Sequence, residues 1–310
     1  MDFRTDLAVE RRDLFKKAND ISEDIDGIES EEKQISDTIH VYKVIVKDEN
    51  GEKAIQKPIG NYVTIDVKKM KNIQEDEKEK IAYTISSELQ QLIKGLIVKK
   101  DEILVVGLGN LYSTPDSLGP KVIQNIDITR HIFKYLPQYI SDEDREVSAI
   151  APGVLGSTGI ETQEILKGIV DNIKPKLIIA IDSLASKSTE RISSSVQISD
   201  TGIVPGSGVE NKRKELSKET LGIPVIAIGI PTVLDLATII TEGLDIFIER
   251  LQEKAMSNEY LNDLRLKDNY NEVREALNIG DFNMIVTPKE IDELIENMTE
   301  IVAKRNKYCN

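Results

Sequence analysis

Residues 103–120 read ILVVGLGNLYSTPDSLGP, an apolar run that breaks into a loop carrying one carboxylate, Asp116. Ile103 to Val106 have the β-branched, uninterrupted character of a strand buried on both faces. Gly107 and Gly109 let the backbone turn sharply after it, and Asn110 suits the same turn. Beyond Asp116, the apolar residues Leu118, Val122, Ile123, Ile126 and Phe133 recur at helical spacing. A strand, a long loop and a helix are therefore expected in that order. Asp116 then lies just past the carboxyl end of a strand, where open α/β sheets hold their ligands.

Working outward, the pattern repeats. Val147–Ile150 reads as a short strand ending in the glycine-rich loop 151–159, and Ile160–Val170 resumes a helix. Lys176–Ile181 (KLIIAI) is a buried strand, followed directly by Asp182. Val196–Ile198 is a weaker strand, and a third glycine loop, 204–209, precedes the buried run Ile223–Ile230. A helix carrying Leu236, Ile239, Ile240 and Ile246 comes next. Strand, glycine loop and helix in repetition predict an α/β fold with a doubly wound, mostly parallel sheet.

The flanks differ in character. Residues 1–35 are strongly charged, and RTDLAVERRDLFKKA (4–18) reads as a solvated amphipathic helix through Leu7, Leu14 and Phe15. Residues 38–46 and 61–67 read as two strands. Asn50-Gly51 supplies a hairpin turn between them, giving a small antiparallel N-terminal region. Residues 72–96 read as a long helix with Ile81, Ile85, Leu89, Leu92, Ile93 and Leu96 on one stripe. Residues 253–282 are polar and aperiodic, and Thr287-Pro288-Lys289-Glu290 has the form of a capping box opening a last helix. The expected organisation is a single α/β unit over 1–310. Its parts are an N-terminal segment and hairpin (1–70), a main core (71–252), and a polar excursion with a C-terminal helix (253–310).

Composition excludes several classes. The 310 residues include 54 acidic and 40 basic side chains, a net charge of −14. That argues against direct nucleic-acid binding, which needs a surplus of Lys and Arg. The single cysteine, Cys309, allows no intramolecular disulfide and no thiolate cluster within one chain, as fits a reducing compartment. No apolar segment nears the roughly 20 residues of a membrane span, and the N-terminus lacks a signal-peptide apolar region. A soluble, cytoplasmic protein without membrane contact is expected.

Two aspartates share one structural address. Asp116 and Asp182 should project from the same edge of the sheet. Paired carboxylates can share a proton, one activating a water while the other donates to a carbonyl oxygen. The plain alternative is that each caps the turn or helix that follows it. Backbone amides of the glycine loops, near Gly153, Gly156 and Gly159 or near Gly206 and Gly208, could hold an oxyanion or a phosphate. A dinucleotide fingerprint is incomplete, because Tyr112 stands where the third glycine would be. Metal ligands are poorly supplied: the two histidines, His40 and His131, have no H-E-x-x-H context. Ser157 and Ser207 lie in glycine loops without a G-x-S-x-G elbow. No cofactor is expected.

Six motifs together carry a resemblance: RTDLAVE at 4–10, GLGN with TPDSLGP at 107–120 followed by Thr129-Arg130-His131, APGVLGSTGIET at 151–162, AIDSLAS at 180–186, PGSGVENKRKEL at 205–216, and LGIPVIAIGIPTV at 221–233. In this order, over nearly the whole chain, they resemble the spore germination protease family. The resemblance implies an endopeptidase that degrades small acid-soluble spore proteins during germination. It further implies a homotetramer in the forespore or spore core, and a precursor that trims its own N-terminus. Only Met1, Asp2 and Phe3 precede the first motif, so self-processing is expected to remove little, or the chain to start near a mature end. The family is classed among atypical aspartic peptidases, whose two catalytic aspartates fall on Asp116 and Asp182. Its fold is similar to that of the hydrogenase maturation peptidases, where matching acidic positions bind nickel with a histidine. A metal-linked maturation-type peptidase and a non-catalytic α/β anion-binding protein are the alternative readings.

Overall fold

The computed structural model describes residues 5–68, 70, 72–207, 213–254, 273, 275–277 and 284–304. Most of the polar stretch 253–282 lies outside the described residues, as do Cys309 and Gly208.

Among the described residues the strands form one mixed sheet of nine. In chain order they are β1 (Ile28–Gln34), β2 (Ile39–Val46), β3 (Gly60–Val67), β4 (Ile103–Gly107), β5 (Val147–Ile150), β6 (Leu177–Ser186), β7 (Ser195–Ser199), β8 (Val225–Asp235) and β9 (Ile285–Val286). Their order across the sheet is β1-β2-β3-β7-β8-β6-β4-β5, with β9 pairing β8. The strands β8, β6, β4 and β5 are parallel, and β1, β2, β3 and β7 are antiparallel to their neighbours. The α/β class is as expected. The antiparallel N-terminal strands continue the main sheet through the β3–β7 pairing, instead of preceding it as a separate region.

The parallel strands are buried because helices cover both faces, which is why they read as continuous apolar runs. On one face α3 (Glu75–Ile93), α4 (Leu118–Asn125) and the last helix, Ile291–Ala303, pack Ile81, Leu118 and Ile295 onto Val105, Ile179 and Ile228. On the other, the helix Thr162–Ile173 packs Leu166 and Val170 onto Leu104, Val106 and Ile178. Each such Leu, Ile or Val contributes about 1.5–3 kcal/mol when fully buried.

Four local expectations change. Residues 49–55 form a short helix, α2 (Glu49–Ile55), not a hairpin turn, because the Asp48 carboxylate accepts from the amides of Asn50 and Gly51 and caps it. The helix after Asp116 ends at Asn125, and Arg130–Tyr135 is a separate helix, α5. Thr287 does not cap the last helix, since its hydroxyl donates to the carbonyl of Thr232 and the helix begins at Ile291. The N-terminal helix, α1 (Ala8–Ala18), is solvated only along its later turns: Thr5 through Glu10 are buried, with Leu7, Ala8 and Val9 inaccessible to solvent. The long-range ties that bury this segment are invisible in its composition. The amide of Asp6 donates to the carbonyl of Ala185, and Gln197 bridges the amide of Ala8 and the carbonyl of Asp6. The Glu10 carboxylate accepts from the hydroxyls of Thr5 and Ser186 and from the amide of Lys187.

Candidate active site

The site is built where β4 and β6 run side by side. Past the last paired residues, Gly107 and Ile181, the amide of Leu108 donates to the carbonyl of Ile181 at 2.8 Å. This bond fixes the start of the loop 108–117 against β6. Gly109, at φ +113°, turns the chain so closely around Asp116 that a Cβ there would fall 2.1 Å from the Asp116 carbonyl oxygen. Only glycine accommodates both constraints. Asn110 donates its amide to that carbonyl, and Thr114–Asp116 close in a 3-10 turn. Asp182 lies within β6, whose register with β8 shifts just beyond, between Leu184 and Ala185.

Asp116 and Asp182 line one cavity of about 410 Å³. Asp182 is 4% exposed and its Oδ1 accepts from the amide of Ser183. Burial first, then the nearby charges of Asp116 and Asp6, push its carboxyl well above the ordinary carboxylate range. Burial also pushes Asp116 up, to about 6, against the opposing pull of the Asn110 amide. Two carboxyls that resist ionisation in one cavity can hold a proton between them at neutral pH. One is then available as a donor and the other as a base.

Of the glycines singled out in the sequence, Gly153 and Gly206 line the cavity, both with positive φ (78° and 71°). Gly156 and Gly159 do not line it, and Gly208 lies outside the described residues. Ser157 caps its own one-turn helix, Leu155–Thr158, by accepting from the amide of Val154, and its hydroxyl donates to the carbonyl of the same residue. Ser207 donates to Oδ1 of Asp6. Neither His40, on β2, nor His131, on α5, lines the cavity. Among the described residues no group of three His, Cys, Asp or Glu side chains converges as a metal ion would require.

Sequence reasoning missed four wall residues. Asp6 is a further carboxylate on the wall, its Oδ2 accepting from the amide of Ala185 at 2.9 Å. The one signal for it was the apolar triplet Leu7-Ala8-Val9 inside a charged stretch. Arg213 brings a guanidinium to the wall. Ser183 and Thr232 bring hydroxyls that are buried without a hydrogen-bond partner among the described residues. Such groups cost about 1–3 kcal/mol unless something entering the cavity satisfies them.

A family model described as germination protease matches residues 5–268. A germination protease of Caldanaerobacter subterraneus subsp. tengcongensis is 44% identical over 306 residues, covering 97% of this chain and 92% of the relative. One from Clostridium perfringens is 43% identical with the same coverage, and one from Bacillus cereus is 38% identical over 336 residues, covering 97% of this chain and 91% of the relative. Among solved structures, the crystal structure of a NiFe hydrogenase maturation protease, HycI, from Thermococcus kodakarensis KOD1 aligns with 71% of this chain and 99% of its own, at 16% identity and a TM-score of 0.30.

Proposed function

The chain belongs to the germination protease family, peptidases of spore germination, and on that premise we propose that it is an endopeptidase in which Asp116 and Asp182 activate water and polarise the scissile carbonyl. The observation that carries this reading is the pair of proton-retaining carboxyls on one cavity wall. Asp182, the more deeply buried and the one facing two other carboxylates, keeps the proton and donates it to the carbonyl oxygen. Asp116, ionised above about pH 6, takes a proton from the attacking water. The backbone around Gly153 and Gly206 faces the same space and supplies amides for the oxyanion. No side-chain nucleophile is needed.

The substrates on this reading are small acid-soluble spore proteins in the cytoplasm of the forespore or spore core, and the working enzyme is a homotetramer. No helix among the described residues is long and apolar enough to cross a membrane. With a net charge of −14 the enzyme is repelled by DNA and meets such substrates when they are off it.

The test is mass spectrometry of a purified small acid-soluble spore protein incubated with wild type, Asp116→Asn and Asp182→Asn. Discrete fragments from wild type alone, with both variants folded, support the reading. Equal cleavage by all three removes the aspartate pair from the chemistry.

A further inference from the structure

Among the described residues, Arg213 is the one cation on the wall of the Asp116–Asp182 cavity, and Asp6, Asp116, Glu161 and Asp182 are its acids. None of the four lies within ion-pair distance of Arg213, whereas its chain neighbour Lys214 pairs with Glu164 at 2.7 Å and Arg191 with Asp66 at 3.1 Å. The backbone around it is fixed. The Arg213 amide donates to the carbonyl of Pro205 at 3.1 Å, which sets the residue beside Gly206 on the same wall. Ile203 and Leu216 exchange hydrogen bonds of 3.0 and 2.8 Å that close this loop. The Lys214–Glu164 pair ties it to the first turn of the helix Thr162–Ile173.

A guanidinium keeps its charge at any pH the fold meets and offers its donors in a planar fork. This one leaves both aspartates raised. Burial lifts Asp116 and Asp182, the Asp182 carboxyl also feels Asp116 and Asp6, and neither is drawn down by Arg213. The cation and the aspartates therefore line one cavity with room between them for a third group. A fixed cation in such a place lowers a barrier most where negative charge grows during the reaction and is absent before it.

We propose that Arg213 is a further catalytic residue, its guanidinium donating to the oxygen of the scissile carbonyl and holding the negative charge that develops there. The proposal rests on the peptidase reading, which supplies the reacting carbonyl. Water adds to the carbonyl carbon, one of its protons passes to Asp116, and the π pair of the C–O bond moves onto the oxygen that Arg213 and the Asp182 proton share. When the C–N bond breaks, the Asp116 proton goes to the departing nitrogen and the pair returns to re-form the C–O double bond. That oxygen then belongs to the new carboxylic acid, which ionises, and the carboxylate matches the guanidinium fork. Gly206, one step from the Pro205 carbonyl that Arg213 holds, keeps its amide in the same role.

The experiment follows cleavage of one peptide by wild type, Arg213→Gln, Arg213→Lys and Arg213→Ala, with thermal melts to show that each variant is folded. Arg213→Gln should lower kcat by about 100-fold or more and leave KM within about threefold, the pattern of a group that acts on the transition state. Arg213→Lys should recover part of that loss, and added ethylguanidinium should raise kcat of Arg213→Ala, which a merely structural role would not allow. The released fragment carrying the new carboxyl end should bind wild type about tenfold tighter than the same fragment made as a carboxamide, and Arg213→Gln should bind the two alike. A rise in KM with kcat unchanged, or an equal preference for the carboxylate in wild type and Arg213→Gln, overturns the proposal. If wild type cuts nothing, the peptidase reading fails and the proposal with it; if wild type and Arg213→Gln cut equally well, the proposal alone fails.

Discussion

The Leu108 amide and the Ile181 carbonyl, 2.8 Å apart, tie the two aspartate-bearing segments together one residue past the last β4–β6 pair. Gly119, at the start of α4, sits against this bond: a Cβ there would fall 2.3 Å from the Leu108 carbonyl oxygen and 2.7 Å from that of Ile181. Gly107 makes the reciprocal approach, its would-be Cβ 2.3 Å from the Gly119 carbonyl oxygen. All of these neighbours are backbone and cannot swing aside.

Gly119→Ala should therefore separate the Asp116 loop from β6. We expect a loss of about 1–3 kcal/mol in stability, the range for overpacking, and a loss of cleavage larger than the drop in folded fraction. Denaturant titration beside single-turnover kinetics separates the two effects. Wild-type kinetics in a stably folded Gly119→Ala would show that the spacing of the aspartates does not depend on this contact.

The protonation order sets a pH profile. Below about pH 6 both carboxyls are neutral and no base is available, so kcat/KM should rise through that region as Asp116 ionises. At higher pH it should fall as the buried partner loses its proton. Asp6 raises Asp182 through its charge, so Asp6→Asn should move the alkaline limb to lower pH while an Asn side chain can still accept from the Ala185 amide. An alkaline limb that stays in place would detach Asp6 from the proton balance.

Stability should respond in the opposite sense to activity. Asp116 has its carboxyl raised from 3.8 to about 6 in the folded chain. The folded state then binds protons more tightly than the unfolded one, so this group favours folding below pH 3.8 and that contribution is lost as pH rises through 6. Asp116→Asn removes the cost of ionising a half-buried group, and at pH 7 it should stabilise the fold by on the order of 2 kcal/mol. The gain should shrink toward pH 4. Thermal melts at the two pH values check this, and equal shifts at both would point to packing instead of charge.

Thr232→Val replaces a buried hydroxyl that has no partner among the described residues by a methyl group of similar size. It should raise stability by about 1 kcal/mol and lower kcat/KM about tenfold if the hydroxyl meets the substrate, since each hydrogen bond to a reacting complex carries roughly that factor. Ser183→Ala should behave similarly. Unchanged kinetics in both would leave these hydroxyls with no part in binding.

The parallel half of the sheet was legible because β4, β6 and β8 are covered on both faces and run apolar over Ile103–Val106, Leu177–Ile181 and Val225–Ile230. Strand β1, IESEEKQ, was not: it is an edge strand whose residues after Ile28 are mostly exposed, and only its ladder with β2 makes it a strand. Asp116 could be placed in a loop past the end of a strand from the strand–loop pattern alone, whereas Asp182, expected directly after a strand, lies within β6, which runs on to Ser186 beside β8. Asp6 could not, because its position depends on hydrogen bonds to Ala185 and Ser207, and charged residues nearby in the chain suggest solvent.

The wall of the first cavity is drawn from residues as far apart as Asp6 and Thr287. Ala185 must be in place before Asp6 has anything to pair with, and Thr287 must follow before the hydroxyl that ties it to Thr232 can form. A nascent chain on the ribosome therefore carries both aspartates well before the last residue of this cavity's wall. The cavity that holds the two aspartates is thus walled in full only once the chain has been made as far as Thr287.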